Sequence, residues 1–224
     1  MKLGKLMVAP VALAMAWQVN AADSQVATDK KKISYAIGVQ IGQDLKRSGI
    51  DLDIDAFSLA IKDMVAGKKP RLNSEEMQQA FNMLREQQMK HQSKLADENK
   101  VKGEKFLVEN KNKPGIKVLS SGVQYQVIKS GSGKKPKDGD TVVAHYRGTL
   151  IDGTEFDSSY KRGQPLTISI NQVVKGWQDA LKAMQVGAKW QIYIPSDLGY
   201  GPRATGNIPP NSTLVFDIEL LEIK

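Results

Sequence analysis

Along the first half of the chain, apolar residues return at every fourth position. Ile33, Ile37, Ile41 and Leu45, with Ala36 beside them, mark one face of a helix over residues 29–47, and Gly49 supplies its stop. Gly38 and Gly42 lie four apart on one side of it. Each costs about 1 kcal/mol of helix propensity relative to Ala, which predicts the close approach of another backbone. A second helix is predicted to open at Asp53 as N-cap and to carry Phe57, Ala60, Ile61, Met64 and Val65 to Gly67. Two helices this short bury little alone.

A third helix has stronger opening signals. Asn73 is its N-cap, Glu76 its capping-box partner, and Leu72 is placed to staple onto Met77. The pattern runs to about residue 110, or roughly 55 Å at about 1.5 Å per residue, with no Pro and only Gly103 to weaken it. Its first turns carry Met77, Phe81 and Leu84, whereas residues 85–105 are mostly Gln, Lys, Glu, Asp and Asn. The middle is therefore expected to stand in solvent. We read the helix as a spacer whose apolar start packs with the two short helices and whose far end supports another domain. The exposed apolar faces and the paired glycines predict a homodimer formed through this helical head.

After Lys113-Pro114-Gly115 alternation replaces fourfold spacing. Val123, Tyr125 and Val127; Val142, Ala144 and Tyr146; Trp190, Ile192 and Ile194; and Leu214, Phe216, Ile218 and Leu220 read as strands of an antiparallel sheet. One short helix over residues 176–184 interrupts them, with Trp177, Ala180, Leu181 and Met184 on its inner side. A sheet wrapped on one helix makes this half α+β. The predicted organisation is a leader over 1–21, a helical dimerisation head over 22–73, a connecting helix over 74–112 and the sheet domain over 113–224.

The leader assignment rests on charge and length. Lys2 and Lys5 precede an apolar run over residues 6–17, and Val19-Asn20-Ala21 offers a small-residue cleavage site, which puts the mature start near Ala22. The run is short of the roughly 20 residues that span a bilayer, and no later stretch is apolar enough. The expected location is the periplasm, with the outer-membrane surface and secretion as further destinations. There is no Cys to form a disulfide or carry a lipid, so stability must come from packing and association. The formal charge of +8 is spread over lysine-rich stretches, with the aromatics elsewhere, which argues against nucleic acid as a partner.

Several chemistries are excluded by missing parts. Gly131-Ser132-Gly133-Lys134 resembles the end of a phosphate loop, but Ile128 and Lys135 stand where Gly and Ser or Thr are needed. Gly199-Tyr200-Gly201-Pro202-Arg203-Ala204 fits a loose dinucleotide fingerprint, yet Pro202 and Pro209-Pro210 forbid the helix that would hold a pyrophosphate. With His91 and His145 as the only histidines and no cysteine, neither a histidine triad nor a zinc cluster can be assembled. No metal or cofactor is expected.

What remains is a set of aromatics with few polar partners. Each alone reads as core. Together, Ala144-His145-Tyr146-Arg147-Gly148, Phe156-Asp157, Val173-Val174-Lys175-Gly176-Trp177, Asp197-Leu198-Gly199-Tyr200-Gly201, Ile208-Pro209-Pro210 and Thr213-Leu214-Val215-Phe216-Asp217 resemble the FKBP-type peptidyl-prolyl cis/trans isomerases, in order, over residues 115–224. The head, bearing Ile37-Gly38-Val39-Gln40-Ile41-Gly42, and the long helix are similar to the dimeric Mip-like (macrophage infectivity potentiator) bacterial members.

The resemblance implies an FKBP-like sheet and a pocket for a proline ring lined by Tyr146, Phe156, Val173, Val174, Trp177, Ile208 and Phe216, with Trp177 as its floor. It implies that Tyr200 donates a hydrogen bond to a substrate carbonyl, that Asp157 faces the twisting amide and that Arg162 orients Asp157. Leu166 departs from the aromatic residue common at the rim, which weakens contacts to the residue before proline; Ala144 and Gly199 are milder departures. The implied partners are proline-containing unfolded or partly folded exported proteins, and macrolide inhibitors of the family. The alternative is a holdase or an adhesion and virulence module in which catalysis is secondary and two linked pockets gain avidity.

Overall fold

The computed structural model describes residues 26–224, so the leader and its cleavage site lie outside the described residues. The chain divides into two compact units, the first ending at Asn73 and the second spanning Ser74–Lys224.

In the first unit the sequence signals act as caps. Helix α1 (Asp29–Ser48) starts behind Thr28, whose hydroxyl accepts from the Lys31 N–H at 3.4 Å. It ends at Gly49, whose φ of 63° lets the following Ile50 N–H return to the Leu45 carbonyl at 3.1 Å. Helix α2 (Ile54–Val65) opens with Asp53 Oδ1 accepting from the Ala56 N–H at 2.8 Å. Its buried Asp63 takes Arg71 Nε at 2.5 Å and Lys68 Nζ at 3.3 Å, which ties the segment after the helix back onto it. The carboxyl of Asp63 is held below its usual value, chiefly by the hydrogen bond from Arg71. Asp63 is the only buried residue of this unit among the described residues; Ile33, Ile37 and Ile61 are all exposed.

The second unit begins with α3 (Ser74–Asn110), 37 residues long as the pattern predicts. It is exposed nearly throughout as far as Lys94. Beyond that point it is not the solvated rod its composition suggests, because Ala96, Asn99, Gly103, Phe106, Leu107 and Asn110 form a covered stripe. Asn110 Nδ2 donates to Gln124 Oε1 at 3.0 Å, Gln124 Nε2 donates to the Leu107 carbonyl at 2.7 Å, and the Phe106 ring lies 5.8 Å from that of Tyr193. Polar side chains thus fasten this part of the helix to the sheet.

That sheet contains β1 (Ile116–Val118), β2 (Gln124–Lys129), β3 (Thr141–Leu150), β4 (Glu155–Ser158), β5 (Leu166–Ser169), β6 (Lys189–Ile194) and β7 (Leu214–Ile223). The order is β1-β2-β6-β7-β3-β4, all antiparallel, with β5 also paired to β3. The predicted alternation holds in the pairs Trp190↔Ile218, Ile192↔Phe216 and Ile194↔Leu214, whose side chains form one buried face. Leu221 is the extra residue of a bulge: Ala144 faces Leu220 while Val143 faces Glu222. The slip returns Ile223 to the face that Val142 occupies. Helix α4 (Lys175–Ala183) closes that face with Trp177, Ala180 and Leu181, followed by buried Met184.

Candidate active site

One end of this core is open. A cavity of about 450 Å³ lies between β3, β4, β5, the start of α4 and the loop before β7. Strand β3 contributes Tyr146 on the inward phase, and β7 contributes Phe216. A bulge in β4 places two consecutive residues in the lining: Gly148 pairs with Asp157 and Thr149 with Glu155, so Phe156 has no partner and turns inward beside Asp157. Gly148 makes this possible, since a Cβ there would stand 2.6 Å from the Phe156 ring and 2.7 Å from that of Phe216.

The aromatic rings meet edge to face. Trp177 contacts Tyr146 with ring centres 5.3 Å apart and Phe216 at 5.2 Å, both at 86°, and Phe156 meets Phe216 at 5.4 Å and 85°. Such pairs favour a fixed wall over a collapsible one. Trp177 is 4% exposed, and its indole N–H makes no hydrogen bond to any described residue. Val173 and Val174 enter from the turn ahead of α4, where Gln178 Nε2 donates to the Val173 carbonyl at 2.9 Å.

A single polar cluster faces this apolar wall. Asp157 accepts from the Tyr146 hydroxyl through Oδ2, and from Arg162 Nη1 and the Ser158 N–H through Oδ1, the last at 2.8 Å. Arg162 Nη2 also donates to the Tyr146 hydroxyl oxygen at 2.7 Å, and its guanidinium lies 5.3 Å from the centre of that ring. Burial is the largest influence on the Asp157 carboxyl and pushes its pKa up. The bonds from Tyr146 and Arg162, the Arg162 charge and the Ser158 N–H together outweigh it and hold the pKa below the usual carboxylate value. Tyr146 is pushed up by burial and by its bond to Asp157. Tyr200 is pushed up by burial and by the Asp157 charge. Both phenols are therefore protonated donors at neutral pH, beside an ionised carboxylate.

Asp157, Tyr200, Tyr146, Phe156, Leu166, Val173, Val174, Trp177, Ile208 and Phe216 all line the cavity; Arg162 does not, and reaches it only through Asp157 and Tyr146. Sequence reasoning missed Ile168, Gln172, Thr205, Gly206 and Asn207. Ile168 could have been found, since it lies two residues from Leu166 on one strand and alternation puts both on one face. The stretch 205–207 belongs to a loop with no periodic signal. Among the described residues no cluster of three or more His, Cys, Asp or Glu could hold a metal ion.

The arrangement can admit a small apolar ring, offer phenolic donors beside it and keep one fixed negative charge nearby. It has no activated nucleophile.

Comparison with known proteins gives the following matches. Residues 132–221 match the model of the FKBP-type peptidyl-prolyl cis-trans isomerase, and residues 30–127 match that of the domain amino terminal to it. The "Outer membrane protein MIP" of Legionella longbeachae is 43% identical over 100% of this chain and 99% of its own. The "Peptidyl-prolyl cis-trans isomerase Mip" of Coxiella burnetii is 41% identical over 88% of each. The crystal structure of FkpA from Escherichia coli superposes with a TM-score of 0.67 at 38% identity, covering 88% of this chain and 97% of that one.

Proposed function

The chain belongs to the FKBP-type peptidyl-prolyl cis-trans isomerases and is an enzyme of that activity, and from that premise we propose that the cavity beside Asp157 binds the proline ring of exported proteins and eases rotation of the preceding amide. The observation that carries this is one ionised carboxylate, fixed by Tyr146, Arg162 and Ser158, as the one charged side chain among the described residues that line a largely apolar cavity.

The barrier to rotation, about 18–20 kcal/mol, is the resonance that keeps the amide planar. No bond to carbon has to form or break. A dry wall of Phe156, Trp177 and Phe216 disfavours the more polar planar amide relative to the twisted one. As the amide twists, its carbonyl carbon loses electron donation from nitrogen. The fixed charge of Asp157 then favours the twisted form, and a hydrogen bond from Tyr200 holds a substrate carbonyl in place. Uncatalysed rotation takes tens to hundreds of seconds, slow enough to limit folding. Macrolide inhibitors of the family occupy the same cavity in this reading.

The test is isomerisation of a short Leu-Pro peptide. We expect Asp157→Ala to lower kcat/KM by about tenfold, equivalent to about 1.4 kcal/mol of transition-state stabilisation, and Tyr200→Phe by a few-fold, about the effect of one hydrogen bond. A wild-type chain that gives no rate above buffer, or an Asp157→Ala variant as fast as wild type, defeats the assignment of the site.

The head supports a second element of the proposal, a homodimer. Among the described residues, Gly38 and Gly42 have nothing within 4 Å of where a Cβ would sit, so no contact among those residues requires glycine there, while Ile33 and Ile37 beside them are about 60% exposed. A second copy crossing at the glycines would cover those residues. Sedimentation of the full chain at micromolar concentration should give twice the chain mass; a monomer overturns it. A dimer would also link two cavities, whose combined grip on one client favours a holdase role alongside catalysis. That role predicts suppression of client aggregation by Asp157→Ala as strong as by wild type. Among the described residues no helix is long and apolar enough to cross a membrane. The leader, together with a relative named as an outer membrane protein, supports placement in the periplasm or at the outer membrane.

A further inference from the structure

The loop over residues 201–213 lines the cavity with its middle and is fastened to α3 by its end. Thr205 and Ile208 exchange backbone hydrogen bonds at 3.0 and 2.9 Å, which fold the middle of the loop into a small bridge that presents Ile208 to the cavity. Two residues later the chain meets the helix. Asn99 Nδ2 donates to the Pro210 carbonyl at 2.9 Å, and Asn211 Nδ2 donates to the Ala96 carbonyl at 3.2 Å. Asn211 sits at φ 53°, and its own N–H returns to the Gly201 carbonyl at 2.7 Å, which closes the loop on itself.

The helix comes unusually near at this point. A Cβ on Gly103 would stand 2.2 Å from Thr213 Oγ1 and 3.2 Å from Thr213 Cβ, so only glycine admits the loop this close. Between Ile208 and the pinned carbonyl of Pro210 lie only Pro209 and Pro210 themselves, each with φ fixed by its ring. A link this short and stiff has little freedom to absorb a shift. Movement of Pro210 relative to the sheet is passed to Ile208.

We propose that the stretch of α3 over residues 96–103 is a positioning element of the isomerase pocket, in which Asn99 and Asn211 hold Ile208 against the proline ring. The inference rests on the reading of the cavity as the proline site. On this view α3 contributes to catalysis through substrate fit, although none of its residues lines the cavity.

The test uses the full chain and a short Leu-Pro peptide, with kcat and KM measured separately and well below the melting temperature. Asn99→Ala removes the donor to Pro210. Asn99→Asp keeps its size and loses the same donor. Asn211→Gly keeps the left-handed backbone and loses the bond to Ala96. Each is expected to raise KM by about threefold, within the effect of one hydrogen bond, and to leave kcat within about twofold. Gly103→Ala is expected to raise KM further, and Thr213→Ala on that background to bring it part of the way back, because the Oγ1 that the new methyl meets is gone while the Cβ at 3.2 Å stays. If Gly103→Ala does not fold, the asparagine variants decide the matter. A lower melting temperature with KM unchanged makes the helix a stabilising strut and overturns the proposal, as does a loss confined to kcat. Asp157→Ala in the same assay separates the two readings: if it is as active as wild type, the cavity assignment itself has failed.

Discussion

The two units use apolar residues in opposite ways. Among the described residues, twenty apolar side chains besides proline are buried, all between Val123 and Leu220 in the second unit. The described residues of the first unit include none, and the one buried side chain among them is Asp63, held by Arg71 and Lys68. Both units contain amphipathic helices, and those of the first unit carry side-chain caps while α4 has none, so local helix signals do not explain the difference. What differs is whether a facing layer exists within the chain. The short helix α4 has the sheet to close upon, whereas Ile33 and Ile37 on α1 stay exposed. With no buried apolar side chain among its described residues, and with α2 short enough to be marginal by itself, the head should draw its stability from association and the sheet unit from its own core.

The largest effect that would sharpen this contrast is at Ile218, fully buried and paired across the sheet with Trp190 on one side and Tyr146 on the other. Ile218→Ala should cost about 2–5 kcal/mol, the usual cost of a large-to-small change in a core, by the same amount at every protein concentration. Ile37→Ala on the head should cost under about 0.5 kcal/mol in a monomeric chain, as exposed positions do, and should show itself instead as a higher dissociation constant. Denaturation at two concentrations a hundredfold apart checks both. Equal, concentration-independent losses at the two sites would break the comparison.

A smaller effect turns on sign. Among the described residues nothing crowds Gly38, so in a monomer Gly38→Ala should stabilise α1 by about 1 kcal/mol through helix propensity alone. If a partner helix crosses there, the added methyl separates the two backbones and the head is destabilised. A thermal melt reads the sign directly: a rise places the glycine face in solvent, and a fall places a second chain against it.

The contrast also explains what could be read in the sequence. Strands β6 and β7 were legible because Trp190, Ile192, Ile194 and Leu214, Phe216, Ile218, Leu220 alternate without a break. The caps at Asp53 and Gly49 were legible because they are local chemistry. Strand β4 was hidden because its bulge puts neighbouring Phe156 and Asp157 on one side, which removes the alternation that marks a strand. The docked half of α3 was hidden for another reason: its covered stripe includes Asn99, Gly103 and Asn110, which no hydrophobic periodicity can flag. Tyr146, Trp177 and Phe216 each fit a core position, and only their order along the chain together with Asp157 and Tyr200 suggested a pocket. The lining by 205–207 needed three dimensions, because it depends on where α3 holds the loop.

The smallest expected effect at neutral pH, and the most specific, concerns the carboxylate that separates a pocket from a core. Asp157 is held below the ordinary aspartate value of about 3.9 because Tyr146, Arg162 and the Ser158 N–H together outweigh the burial that raises it. For a group whose folded pKa is lowered, the linked stability is present above the unfolded value and is lost as pH falls through the folded one. Isomerisation of the Leu-Pro peptide should therefore stay level from pH 7 down to the ordinary carboxylate range, and should fall only below it. Arg162→Met removes one hydrogen bond and the opposing charge and leaves burial in place, so the fall should move to higher pH while the rate at pH 7 changes little. Tyr146→Phe should move it the same way. If the acid limb is unmoved in both variants, the charge on Asp157 is not what the reaction uses, and the pocket works by its dry walls and Tyr200 alone.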